Sequence, residues 1–85
     1  MEACYYSLIR QTREGEFVGW VPDLPGVMAS GSTDDIVLRQ LSADARTLLH
    51  KIAGRGLRRP SCSPADAFPL GDRNGPYRRI LLVLS

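Results

Sequence analysis

Few side chains in this sequence have the types and spacing that chemistry requires. Cys4 and Cys62 lie far apart and form no C-x-x-C pair, and His50 is the one histidine. A structural zinc site takes about four cysteine or histidine ligands at short spacing, so we expect no metal and no cofactor. A single disulfide between the cysteines stays open, although two reduced thiols in the cytoplasm are the favoured interpretation.

The acidic residues are poorly spaced for catalysis. A nuclease that works through two metal ions needs several carboxylates at one place. No acidic residue stands between Glu2 and Glu14, and Asp23 lies in a proline-flanked turn. Asp34 and Asp35 stand where a helix is expected to begin, which suits capping and the helix dipole. His50 has no partner that would make it a general base. We therefore predict that the chain is not an enzyme.

The basic residues concentrate in the second half of the chain. Residues 1–45 contain seven acidic and three basic side chains, whereas residues 46–85 contain two acidic and eight basic ones. Five arginines that could share one edge and contact phosphates are Arg55, Arg58, Arg59, Arg78 and Arg79. No aromatic residue is interleaved with them, so base stacking has little support. Nucleic-acid binding through Arg55, Arg58 and Arg59 remains an alternative to binding of a protein, because arginine also anchors protein interfaces.

The length of 85 residues suits one domain, residues 1–85. A domain of this size buries only a modest share of its surface on folding. We therefore expect a homo-oligomer, either a dimer or a tetramer. The longest apolar run covers residues 80–84, far below the roughly 20 residues that cross a bilayer. The N-terminus also lacks the pattern of a signal peptide. We expect a soluble cytoplasmic protein with no membrane association.

Alternation of apolar and polar residues predicts three strands in the first third of the chain, at residues 3–11, 16–21 and 27–30. A polar turn that ends in Gly15 separates the first two strands. The sequence Pro-Asp-Leu-Pro-Gly at residues 22–26 separates the second strand from the third, because proline and glycine interrupt strands. We expect these strands to form an antiparallel meander.

One helix and one further strand follow. Apolar residues at three- and four-residue steps predict a helix over residues 34–53, with Ser32 or Thr33 as its N-cap. Residues 57–76 are rich in proline and glycine and predict a long loop. The last segment, residues 77–84, is almost continuously apolar and predicts a central strand covered on both faces. The expected class is α+β, with the order β-β-β-α-β and one helix packed across an antiparallel sheet.

The segment from Gly15 to about Leu57 resembles the HicB-type antitoxins of bacterial and archaeal toxin–antitoxin pairs. The resemblance consists of an aromatic strand that ends in the Pro-Asp-Leu-Pro-Gly turn, a fixed spacing to Gly31 and Thr33, and an amphipathic helix closed by glycine. It implies a reduced ribonuclease H-like fold without catalysis. It also implies a partner, a small RNA-cleaving HicA-type toxin whose active site is masked, and assembly into oligomers.

The sequence departs from this family in three respects, one of which is the unusually long and basic loop over residues 57–76. Ile36 and Val37 stand where the family often has Glu-Glu-Ala, which changes the surface at the start of the helix. The chain reaches Ser85 directly after the last expected strand, so we expect no C-terminal DNA-binding module. A further hypothesis is an orphan domain that has kept the fold and lost its partner.

The strand and turn before the third strand provide the candidate partner-binding residues. These are Trp20, Asp23, Leu24 and Pro25. We expect the turn to expose Leu24 at its tip, with Trp20 close to it. The other aromatics of the first strand, Tyr5 and Tyr6, are expected mainly in the core, as aromatic residues at strand spacing usually are.

Overall fold

The structure is a computed structural model that describes residues 3–64 and 77–84. Its elements are β1 (Ala3–Gln11), β2 (Phe17–Trp20), β3 (Met28–Gly31), α1 (Asp34–Gly54) and β4 (Arg78–Leu84). The predicted class and the predicted element order are therefore confirmed. Of the predicted loop, residues 65–76 lie outside the described residues.

The four strands form one antiparallel sheet in the order β3-β2-β1-β4. β1 pairs with β4 from Ala3 to Ile9, but with β2 only from Leu8 to Gln11. The first half of β1 therefore has a strand on one side only. This asymmetry leaves room for another segment of the chain beside β1.

β4 lies at the edge of the sheet, so the prediction of a central strand is wrong. Leu82 and Leu84 face the helix and are buried, whereas Leu81 is 44% exposed and Val83 is 59% exposed. A continuous apolar run indicates burial on both faces only where both faces are covered. Here one helix covers one face of the sheet, and the alternate residues of β4 point away from it.

The ends of α1 follow local rules. The Thr33 hydroxyl accepts a hydrogen bond from the Ile36 amide at 3.2 Å, which makes Thr33 the N-cap. At the other end, the Leu57 amide donates to the Ile52 carbonyl and the Gly56 amide donates to the Ala53 carbonyl, each at 3.0 Å. Gly56 has φ +69°, the left-handed conformation that glycine adopts without strain. This pair of bonds is a Schellman motif, which ends the helix.

The core lies between α1 and the covered face of the sheet. Val37, Leu41 and Ala45 line the inner face of the helix and are fully buried. A Cβ atom on Gly19 of β2 would lie 2.8 Å from Val37 Cγ1 and 3.0 Å from Leu41 Cδ1. The missing side chain at Gly19 therefore lets the helix pack directly on the strand. The helix leaves the opposite face of the sheet uncovered.

Candidate functional site

The uncovered face of the sheet presents two rows of side chains. Strand pairing places Leu8, Trp20 and Met28 in one row. It places Arg10, Val18 and Ser30 in the next row. We call these six residues the open sheet face; Leu8 is buried there, whereas the other five are exposed or half-buried. Side chains alternate along a strand, so all six point away from α1.

Trp20 lies beside a shallow depression on the open sheet face, with a volume of 620 Å³. Its ring meets the ring of Tyr77 edge to face, with centroids 5.4 Å apart and planes at 87°. Such T-shaped contacts hold aromatic rings in a defined orientation. Met28 is 68% exposed at the rim, and Arg10 provides a cation. The lining therefore combines aromatic rings, methionine and arginine, the residue types that are enriched in protein interfaces.

The turn between β2 and β3 hides one of the predicted contact residues. Leu24 is fully buried, so the expectation that the turn exposes it is wrong. The Leu24 amide donates to the Val21 carbonyl at 3.0 Å, and the Val27 amide donates to the Leu24 carbonyl at 3.1 Å. These bonds fold the turn back so that Leu24 enters the core, while Pro25 stays exposed.

Asp23 is engaged within the molecule. Its carboxylate accepts hydrogen bonds from the Ser63 amide and from the Ser63 hydroxyl, both at 2.7 Å. We call residues 57–64 the return segment. A second contact holds it, because the Tyr5 hydroxyl donates to the Pro60 carbonyl at 2.6 Å. Burial raises the pKa of Tyr5 above its ordinary value, so the phenol keeps the proton that it donates.

The predicted contact residues thus divide among three environments. Trp20 belongs to the open sheet face, Pro25 is exposed on the turn, Leu24 is in the core, and Asp23 anchors the return segment. Their role in binding a partner stays a prediction. Trp20 and Pro25 remain the better candidates, because Leu24 is buried and Asp23 is hydrogen-bonded to Ser63.

The five arginines do not share one edge of the molecule. Arg55, Arg58 and Arg59 are exposed beyond the end of α1. Arg78 hydrogen-bonds Asp34 at the start of α1 and holds the pKa of that carboxyl below its usual value. The helix has 21 residues, and at 1.5 Å per residue its ends are about 30 Å apart. The prediction that all five arginines share one edge is therefore wrong. Arg55, Arg58 and Arg59 still form an exposed group after the end of α1.

The remaining candidate chemistry in the described part of the chain is a catalytic histidine or a metal site. His50 is exposed on α1. No group of three or more His, Cys, Asp or Glu side chains within residues 3–64 and 77–84 is placed to hold a metal ion. In the same residues, no helix has the length and apolar character needed to cross a bilayer.

Solved structures share the fold of this chain. The N-terminal domain of the antitoxin HicB from Burkholderia pseudomallei matches with a TM-score of 0.75 and 15% identity, over 98% of this chain and 96% of that one. A chain of the HicA3 and HicB3 toxin–antitoxin complex matches with a TM-score of 0.60 and 21% identity, over the same shares of the two chains. No family model and no curated protein matches the sequence. The resemblance to HicB is thus confirmed at the level of the fold.

Three residues beside Trp20 were not among the sequence candidates: Arg10, Met28 and Tyr77. Period-two alternation could have placed Arg10 and Met28 on the same side of the sheet as Trp20. The sequence pattern does not predict the contact between Tyr77 and Trp20, because that contact depends on how β4 pairs with β1.

Proposed function

We propose that this chain is an antitoxin-like protein. It binds a small RNA-cleaving toxin of the HicA type in the cytoplasm and neutralises it by covering the toxin's active site, without catalysis of its own. The observation that supports this most is the match of the fold to a HicB N-terminal domain across nearly the whole of both chains. A second match comes from a structure described as a HicA3 and HicB3 toxin–antitoxin complex.

The open sheet face is the surface that we propose for the toxin. Trp20 and Tyr77 form an oriented aromatic pair there, and Met28 is 68% exposed beside them. Aromatic residues, methionine and arginine are enriched in the cores of protein interfaces. The Tyr77 ring already holds the Trp20 ring in one orientation. Trp20 therefore loses little conformational entropy when a partner covers it. Pro25 on the adjacent turn would extend the contact.

Paired substitutions test this surface. The proposal predicts that the toxin is encoded by a gene beside that of this chain. We expect Met28→Asp to weaken binding of this neighbouring protein by about tenfold or more, because it puts a charge into an apolar contact. Ile36→Asp is the matched control, since Ile36 is 47% exposed on α1, away from the open sheet face. It should change the affinity by less than about threefold.

Titration calorimetry with the purified neighbouring protein measures both effects. Equal losses for the two variants would place the toxin elsewhere on the molecule. No binding by the unmodified chain would contradict the antitoxin proposal itself and favour an orphan domain.

Nucleic-acid binding is the second candidate, favoured by the exposure of Arg55, Arg58 and Arg59 after α1. Affinity that depends on phosphate contacts falls steeply with salt. For a few such contacts, it falls by about tenfold or more when the salt concentration rises from 50 to 200 mM. If this candidate is correct, single-stranded RNA binds at low salt and the double variant Arg55→Ala, Arg58→Ala loses that binding. The antitoxin proposal predicts no RNA binding that depends on these residues.

A further inference from the structure

The two cysteines are far apart in the sequence but are neighbours in the fold. Cys4 lies in β1 and Cys62 lies in the return segment. Cys4 is close enough to Cys62 to contribute to the raised pKa of the Cys62 thiol. Both line one depression of 270 Å³, and both are exposed to solvent. Two thiols that line one depression and are open to a reagent can react with each other through a mixed disulfide.

The surrounding contacts hold the return segment against β1. β2 pairs with β1 only as far as Leu8, so the first half of β1 lacks a neighbouring strand on that side. The return segment contacts this half of β1, because Cys4 and Tyr5 line one depression together with Pro60 and Cys62. The Tyr5–Pro60 bond holds the chain before Cys62, and the Ser63–Asp23 bonds hold it immediately after. Cys62 is therefore fixed from both sides beside Cys4.

We propose that Cys4 and Cys62 are a reversible redox pair that forms an intramolecular disulfide and clamps the return segment onto β1. The oxidant is a low-molecular-weight disulfide such as oxidised glutathione. One cysteine thiolate attacks it and releases one glutathione thiolate. The second cysteine thiolate then attacks the mixed disulfide and releases the second glutathione. Two protein thiols lose two electrons and two protons, and one small disulfide is reduced to two thiols.

The clamp has consequences for stability and for rate. The disulfide closes a loop that contains β2, β3 and α1, and a long closed loop restricts the unfolded chain strongly. The pKa of Cys62 is raised, mainly by desolvation and to a smaller extent by the nearby Cys4 and Asp23. Because the thiolate is the reacting form, we expect the disulfide to form slowly near pH 7 and faster near pH 9.

Oxidised glutathione tests the proposal on the purified chain. We expect the loss of both free thiols, a mass lower by two hydrogen atoms, and a peptide map that joins Cys4 to Cys62 within one chain. The Tm should rise by on the order of 10 °C and return to its starting value after reduction. Cys4→Ser and Cys62→Ser should each take up one glutathione and show no such rise. Two glutathiones on the unmodified chain, a disulfide between two chains, or unreacted thiols would overturn the proposal.

A second pair of variants tests whether the fold positions the thiols. Asp23→Ala removes the anchor of Ser63 and should slow disulfide formation several-fold, because the effective concentration of Cys62 at Cys4 falls. Ser61→Ala is the control, since Ser61 is exposed in the same segment, and it should leave the rate unchanged. Equal rates for the two variants would show that the contacts around Cys62 do not hold it in place.

Discussion

Leu24 and Pro25 are neighbours in the chain that have opposite environments. Leu24 is fully buried below the turn, and Pro25 is exposed on it. Deleting a buried leucine side chain removes its transfer free energy and leaves a cavity, which costs about 2–5 kcal/mol. We therefore expect Leu24→Ala to lower the free energy of unfolding by that amount. Pro25→Ala should lower it by less than about 1 kcal/mol, through greater freedom of the unfolded chain.

Urea unfolding of the two variants measures this difference. Similar free energies of unfolding would mean that Leu24 lies on the surface, as the turn pattern first indicated. The sequence predicted the turn itself, because proline and glycine determine backbone conformation locally. It could not predict the direction of the side chain between them, which depends on the hydrogen bonds of the Leu24 backbone to Val21 and Val27.

Helix α1 is joined to strand β4 by the contact between Asp34 and Arg78. The Arg78 side chain lowers the pKa of Asp34 in the folded chain. A lowered native pKa stabilises the fold above the ordinary pKa of the carboxyl, and the effect is lost as the pH falls through the native value. We expect Asp34→Asn to be less stable than the unmodified chain at pH 7 and equally stable well below pH 3.8.

Asp35→Asn is the control for this prediction. Asp35 also lies in the first turn of α1, but its partner is the exposed Arg39 of the same helix, 3.8 Å away. An exposed pair within one helix contributes little, so the midpoint of urea unfolding at pH 7 should fall less than for Asp34→Asn. A larger fall for Asp35→Asn would contradict a role for the contact between α1 and β4.

The elements differ in how far the sequence predicted them. Both ends of α1 were predicted to within one residue, because capping by Thr33 and termination at Gly56 are local. The position of a strand within the sheet is harder to predict from the sequence, because it depends on which faces of the sheet are covered by other elements. For that reason the apolar run of β4 predicts a central strand, whereas Leu81 and Val83 are exposed at the edge of the sheet.

At the scale of the whole molecule, the exposed edge of β4 suits self-association. Antiparallel pairing of two β4 strands about a two-fold axis would place Arg78 and Arg79 of one copy opposite the far end of the other strand. The pairing would extend the sheet, bring the two copies of Leu81 together and place Val83 of each copy opposite Arg79 of the other. We therefore expect light scattering to give a mass at least twice that of one chain.

Val83→Lys tests this assembly, because lysine on an edge strand opposes pairing with another chain. We expect it to give monomers. Leu57→Lys is the control, since Leu57 is 61% exposed in the return segment, outside the sheet, and it should leave the oligomer intact. A monomeric unmodified chain, or an oligomer that survives Val83→Lys, would contradict assembly through β4.

Neutralisation of the toxin can be measured as loss of RNA cleavage by the purified neighbouring protein while the unmodified chain is added in steps. We expect cleavage to stop once one copy of the chain is present per copy of toxin, and to stay stopped when more RNA is added. Continued RNA cleavage in the presence of excess chain would mean that the chain does not neutralise this toxin.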